Sequence, residues 1–132
     1  MTGALHHVEL WTHDLSEVGP GWDWLFDALG WVKADDGWAS GRIWTHRDGT
    51  YLVLEQSRDV RGNHHDRRDP GLNHLALSLD APQHLDRLRA EAGAHGWSEL
   101  FGADYPHAGG PDHTALFLEN GQGFEVEIVC PH

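Results

Sequence analysis

Residues 5–14, LHHVELWTHD, and residues 72–81, LNHLALSLDA, are two versions of one pattern, and their likeness decides the fold. Both alternate with the period of two that marks a half-buried strand. In the first, Val8 and Leu10 alternate with His7, Glu9 and Trp11; in the second, Leu75, Leu77 and Leu79 alternate with His74, Ala76 and Ser78. Each strand therefore has one apolar face and one face that carries a histidine.

The segments after the two strands also match. GWDWLFDALGW (21–31) reads as a short amphipathic helix ended near Gly30, and PQHLDRLRAEAGAHGW (82–97) as another ended near Gly93 or Gly96, with Pro82 suited to a first turn. The six residues SEVGPG (16–21) read as a loop before the first helix. Each helix is succeeded by three strand-like stretches, near 31–33, 39–46 and 51–55, then near 98–101, 113–119 and 124–129. The expected fold is α+β: two βαβββ modules, about 4–56 and 72–130, in a single domain over 1–132. The stretch 57–71, SRDVRGNHHDRRDPG, mixes charge, Gly, Asn and Pro without periodicity and reads as the linker, its arginines a solvated cluster and His64 and His65 surface residues.

A chain of 132 residues with 39% hydrophobic content and seven Trp has material for one sizeable core. The net charge of −12 repels nucleic acid and anionic lipid, so neither is an expected partner. All nine Lys and Arg lie between Lys33 and Arg89, which leaves the stretch from 90 onward with carboxylates alone. No apolar run reaches membrane-spanning length, and MTGALHHVEL lacks the basic flank and apolar stretch of a secretory signal. With Cys130 as the only cysteine, a cytoplasmic location is expected.

Equivalent positions of two similar modules can meet about a pseudo-two-fold axis, which gives a reason to pair His7 with His74. Acids recur on each module's last strand. TYLVLEQ (50–56) places Tyr51, Val53 and Glu55 on one face, and GFEVEIV (123–129) does the same for Glu125, Glu127 and Val129. Imidazoles and carboxylates together suit one divalent ion of the Zn, Ni, Mn, Co or Fe type. Alternation cannot choose between Glu125 and Glu127.

With LHHVEL, LVLEQ, GLNHLALSLD and GFEVEIV in these places, essentially the whole chain resembles the vicinal oxygen chelate superfamily, the glyoxalase, bleomycin-resistance and extradiol-dioxygenase group. The resemblance implies a sheet cup around a metal held by His7, Glu55, His74 and Glu127. The last of these is selected because the ligand comes four residues after the turn glycine, here Gly123. That leaves Glu125 at the strand's entry, nearer solvent. The turn itself, ENGQG (119–123), departs from the usual Asp-Pro-Asp-Gly form by lacking the proline.

Four ligands resemble the glyoxalase-like lyases and isomerases, in which the metal grips adjacent substrate oxygens and a carboxylate, here Glu127, removes a carbon-bound proton. Extradiol dioxygenases use two His and one Glu, so a fourth carboxylate argues against them. A non-catalytic, bleomycin-resistance-like binder of a cationic planar ligand is the alternative, which the acidic, Trp-rich composition suits. Candidate substrate contacts are Trp11 on the His7 face and Tyr105, His107 and His113 around the Gly-rich loop YPHAGGPDH (105–113). Glu9 is a candidate orienter of a ligand imidazole. Scarcity of Lys and Arg favours neutral or cationic ligands over anionic ones. The expected partners are thus a small-molecule substrate and a second copy of the chain.

Overall fold

The computed structural model describes residues 1–131, and the chain divides into two compact units, Met1–Asn63 and His64–His132. The first unit runs β1 (His7–Trp11), α1 (Leu15–Ala28), β2 (Val32–Lys33), β3 (Gly41–Thr45) and β4 (Tyr51–Glu55). Its sheet has the order β1-β4-β3-β2, with β1 and β4 parallel and the other neighbours antiparallel. The second unit repeats the plan with β5 (Leu75–Ser78), α2 (Pro82–Glu91), β6 (Trp97–Leu100), β7 (Thr114–Asn120) and β8 (Glu125–Cys130) in the order β5-β8-β7-β6. The expected α+β plan of two βαβββ modules is therefore what the chain adopts.

In the first unit, Leu15, Val18, Trp22, Leu25 and Phe26 recur at helical spacing and are buried together with Leu10, Trp44, Leu52 and Leu54 of the sheet. Phe26 stacks on Trp44 at 4.8 Å between centroids. Each such side chain contributes about 1.5–3 kcal/mol by leaving water. In the second unit Leu85, Leu88 and Ala92 are buried, as are Leu116, Leu118, Val126 and Ile128 of the sheet. The alternation that sends these residues to the helix side sends His74, Phe117, Glu125 and Glu127 to the other face.

Two local readings change. SEVGPG is helical: α1 begins at Leu15, where the Asp14 side chain accepts from the N–H groups of Ser16 (3.0 Å) and Glu17 (3.3 Å). That cap and the burial of Leu15 and Val18 outweigh the weak helix propensity of Gly19, Pro20 and Gly21. The end of the linker is also structured: the His65 N–H donates to the Gln122 carbonyl at 2.8 Å, and its ring stacks on Phe124 at 4.6 Å.

Candidate functional site

The polar face of the second unit carries a connected cluster. β5 and β8 run parallel with Leu75 beside Val126 and Ala76 beside Glu127, so His74, just before β5, falls beside Glu125. His74 Nε2 lies 3.0 Å from Glu127 Oε1. Its other nitrogen, Nδ1, lies 2.7 Å from Asn73 Oδ1 and 3.4 Å from Glu125 Oε2. Asn73 is oriented in turn by donating its Nδ2–H to the Arg67 carbonyl at 3.1 Å. Both imidazole nitrogens of His74 thus face oxygen acceptors, and Nε2 stands within hydrogen-bond distance of the Glu127 carboxylate.

On the other oxygen of Glu127 stands His113, the residue before β7, whose Nε2 is in direct contact with Oε2. Glu127 is only 6% exposed and Glu125 only 4%. Arg67 brings Nη1 to 3.1 Å from Glu125 Oε1 and Nε to 3.2 Å from Glu119 Oε2, so two carboxylates share its charge and Glu127 is left to the imidazoles. Burial pushes the Glu125 carboxyl above its usual range, opposed by Arg67 and His74. Glu125 is thus a buried partner of His74 rather than the rim acid expected, because Arg67 of the supposed linker closes over it.

In the first unit, β1 and β4 pair His7 with Tyr51, Glu9 with Val53 and Trp11 with Glu55. The His7 ring stacks on Tyr51 at 4.7 Å, and its Nδ1 lies 2.9 Å from His6 Nδ1. Glu55 stands four residues along the strand from Tyr51, a rise of about 13 Å, and is not brought to His7. The turns before β4 and β8 match in pattern: the His46 N–H donates to the Thr50 carbonyl as the Asn120 N–H donates to the Phe124 carbonyl, and Gly49 (φ +95°) matches Gly123 (φ +86°). Four residues past Gly49 is Val53, so by strand register the counterpart of Glu127 is Val53, and Glu55, the ligand that the resemblance implies, stands two residues further along β4.

The other candidates separate. Trp11 is 42% exposed and its indole N–H donates to Glu9 at 2.6 Å, which occupies Glu9 with Trp11 rather than with an imidazole. The Tyr105 hydroxyl donates to Asp86 at 2.7 Å, and the Arg89 guanidinium lies 4.1 Å from its ring, tying it to α2. His107 Nδ1 lies 3.1 Å from the His113 carbonyl and so supports the loop. Of the four loop and rim candidates, only His113 touches a proposed ligand. Sequence reasoning missed Arg67, whose signal was its place among linker arginines just ahead of GLNH. A separate cleft of about 350 Å³, lined by Asp23, Trp24, Asp27, Trp31, Lys33 and Trp44, has the acidic aromatic character of a cation binder. Its Asp23 is already engaged by Lys33 and by the Trp44 indole, each at 3.1 Å. No helix among the described residues is long and apolar enough to cross a membrane.

Residues 6–117 match the model of the Glyoxalase/Bleomycin resistance protein/Dioxygenase superfamily. The chain is 34% identical to the uncharacterized protein YqjT of Bacillus subtilis (strain 168), over 96% of this chain and 98% of that one. A solved Bacillus halodurans protein, assigned to the glyoxalases in name only, is 37% identical with a TM-score of 0.89, covering 98% of this chain and 96% of its own. A variant of the fosfomycin resistance protein FosX from Listeria monocytogenes, solved with Mn(II) and 1S,2S-dihydroxypropylphosphonic acid, shares the fold alone at 12% identity. Its TM-score is 0.68, with 100% of this chain and 93% of that one covered. The chain belongs to the glyoxalase, bleomycin resistance protein and dioxygenase superfamily, the vicinal oxygen chelate proteins.

Proposed function

We propose that this protein is a metal-dependent, glyoxalase-like lyase or isomerase acting on a small substrate with adjacent oxygens, with Glu127 as the group that takes a carbon-bound proton. The observation that carries the reading is His74 Nε2 set 3.0 Å from an oxygen of the buried Glu127. Two donors bound at about 2.1 Å and at right angles on one ion lie about 3.0 Å apart, so His74 and Glu127 fit a divalent cation of the Zn, Ni, Mn, Co or Fe type. His7, the counterpart of His74, is the donor that the superfamily pattern assigns to the first unit. When bound, such an ion polarises the substrate oxygens and stabilises the negative charge that develops on them.

The chain's own residues supply the rest. Arg67 pairs with Glu119 and Glu125, so no guanidinium competes for the Glu127 carboxylate that takes the proton from carbon. Asn73 and Glu125 hold the direction of the His74 ring from its Nδ1 side. Glu119, Glu125 and Glu127 outnumber the single Arg67 around them, so a neutral or cationic substrate is favoured over an anionic one. The working form is taken as a cytoplasmic homodimer.

The test is solvent deuterium exchange monitored by NMR, with the metal-loaded protein and a panel of neutral α-hydroxy ketones and hemithioacetals. Exchange at the carbon beside the oxygens, lost in Glu127→Gln, is expected. Binding of the panel without exchange would replace the catalytic reading with a sequestering one. A second reading has one observation in its favour: with Val53 in place of a fourth carboxylate, the superfamily pattern leaves two His and one Glu, the extradiol dioxygenase set. Oxygen uptake by the Fe²⁺-loaded protein with catechol would select that chemistry.

A further inference from the structure

We propose that His113 is a further protein donor to the divalent cation, so that the second unit supplies two imidazoles and one carboxylate, those of His74, His113 and Glu127. The inference rests on the metal reading above and adds a ligand that the superfamily pattern does not assign.

Four observations carry it. First, the Nε2 atoms of both histidines reach the same carboxylate, one at each oxygen. Second, Glu127 is buried and Arg67 is spent on Glu119 and Glu125, so the groups recorded at its two oxygens are the His74 and His113 imidazoles, a donor set that suits a divalent cation. Third, the loop presents His113 in a braced position. Its N–H donates to the Gly110 carbonyl at 3.1 Å, His107 braces its carbonyl, and a Cβ on Gly109 would lie 2.5 Å from His113 Cδ2, so the ring lies where only glycine leaves room. Its side chain remains 40% exposed, open to an incoming ion.

The fourth observation comes from the repeat. β7 and β8 pair Phe117 with Glu127 as β3 and β4 pair Ile43 with Val53. Carried back along the strands, the counterpart of His113 is Ala39. The second unit thus has His113 and Glu127 where the first has Ala39 and Val53, so donors are gained or lost at both positions together. Among the described residues no three acid, His or Cys side chains form a ready-made metal site, so ion binding requires both imidazoles to turn from Glu127 toward a shared position.

The experiment uses the full chain, stripped of metal and titrated with Zn²⁺, with ring ¹⁵N shifts of the histidines read by NMR. Calorimetric affinities are measured for the wild type and His113→Ala, with circular dichroism of the metal-free variant confirming its fold. Coordination shifts at both His74 and His113, with affinity reduced about 100-fold or more in His113→Ala, are expected. A shift at His74 alone, or a His113→Ala variant with wild-type affinity, overturns this inference and leaves the proposed function standing. Failure of the wild type to bind Zn²⁺, Mn²⁺, Ni²⁺, Co²⁺ or Fe²⁺ overturns both.

Discussion

Replacing Gly123 with Ala tests the turn that sets the register of β8 and hence the place of Glu127. Gly123 holds φ at +86° and its N–H donates to the Asn120 carbonyl at 3.1 Å. An added Cβ would stand 1.9 Å from the His65 carbonyl oxygen. An ordinary carbon–oxygen contact is about 3.3 Å, so that oxygen must retreat by about 1.4 Å. The His65 backbone is anchored by its 2.8 Å bond to Gln122 and by the stack on Phe124, and moving it forfeits a hydrogen bond of about 1 kcal/mol. A left-handed alanine costs about 1–2 kcal/mol more. The total is about 2–3 kcal/mol. Gly96→Ala is the control, since Gly96 has φ +83° but no atom within 4 Å of an added Cβ, and it carries only the conformational cost of about 1–2 kcal/mol. Urea unfolding of both variants reads the difference. Equal destabilisation would show that the His65 backbone does not lean on the turn.

Two more outcomes rest on named contacts. Glu125→Gln removes the charge beside His74 Nδ1 and is expected to weaken metal binding about 10-fold, measured by calorimetry against the wild type. Burial and the bond to Asp86 raise the Tyr105 phenol well above its ordinary pKa of 10.0. A raised folded pKa contributes stability that is complete below the unfolded value and is lost as pH rises toward the folded one. Denaturant unfolding above about pH 10 should therefore show a loss of stability that is flatter in Tyr105→Phe.

How far the sequence carried is clearest at particular residues. The repeat was legible because His7 and His74 each interrupt an apolar alternation, and alternation is a local property that the folded sheets preserve. Alternation names a face but not a rung, and this is why Glu55 read as a ligand: Tyr51, Val53 and Glu55 share a side, and only the pairing of β1 with β4 shows which one stands where Glu127 does. A usable signal was present, since the rule that takes Glu127 from Gly123 takes Val53 from Gly49. Glu125 was misplaced for a different reason. Its burial depends on Arg67, remote in sequence and disguised among linker arginines, and no period reports such a contact. SEVGPG failed as a loop because tertiary burial of Leu15 and Val18 overrode propensity.

Calorimetric titration of the metal-free protein with Zn²⁺, comparing wild type, Glu55→Gln and Glu127→Gln, asks whether His74 and Glu127 hold a divalent ion. About one ion per chain is expected for the wild type and Glu55→Gln, with affinity about 100-fold or more weaker in Glu127→Gln. Undiminished binding in Glu127→Gln, or a loss in Glu55→Gln as deep as the one expected for Glu127→Gln, would contradict the account.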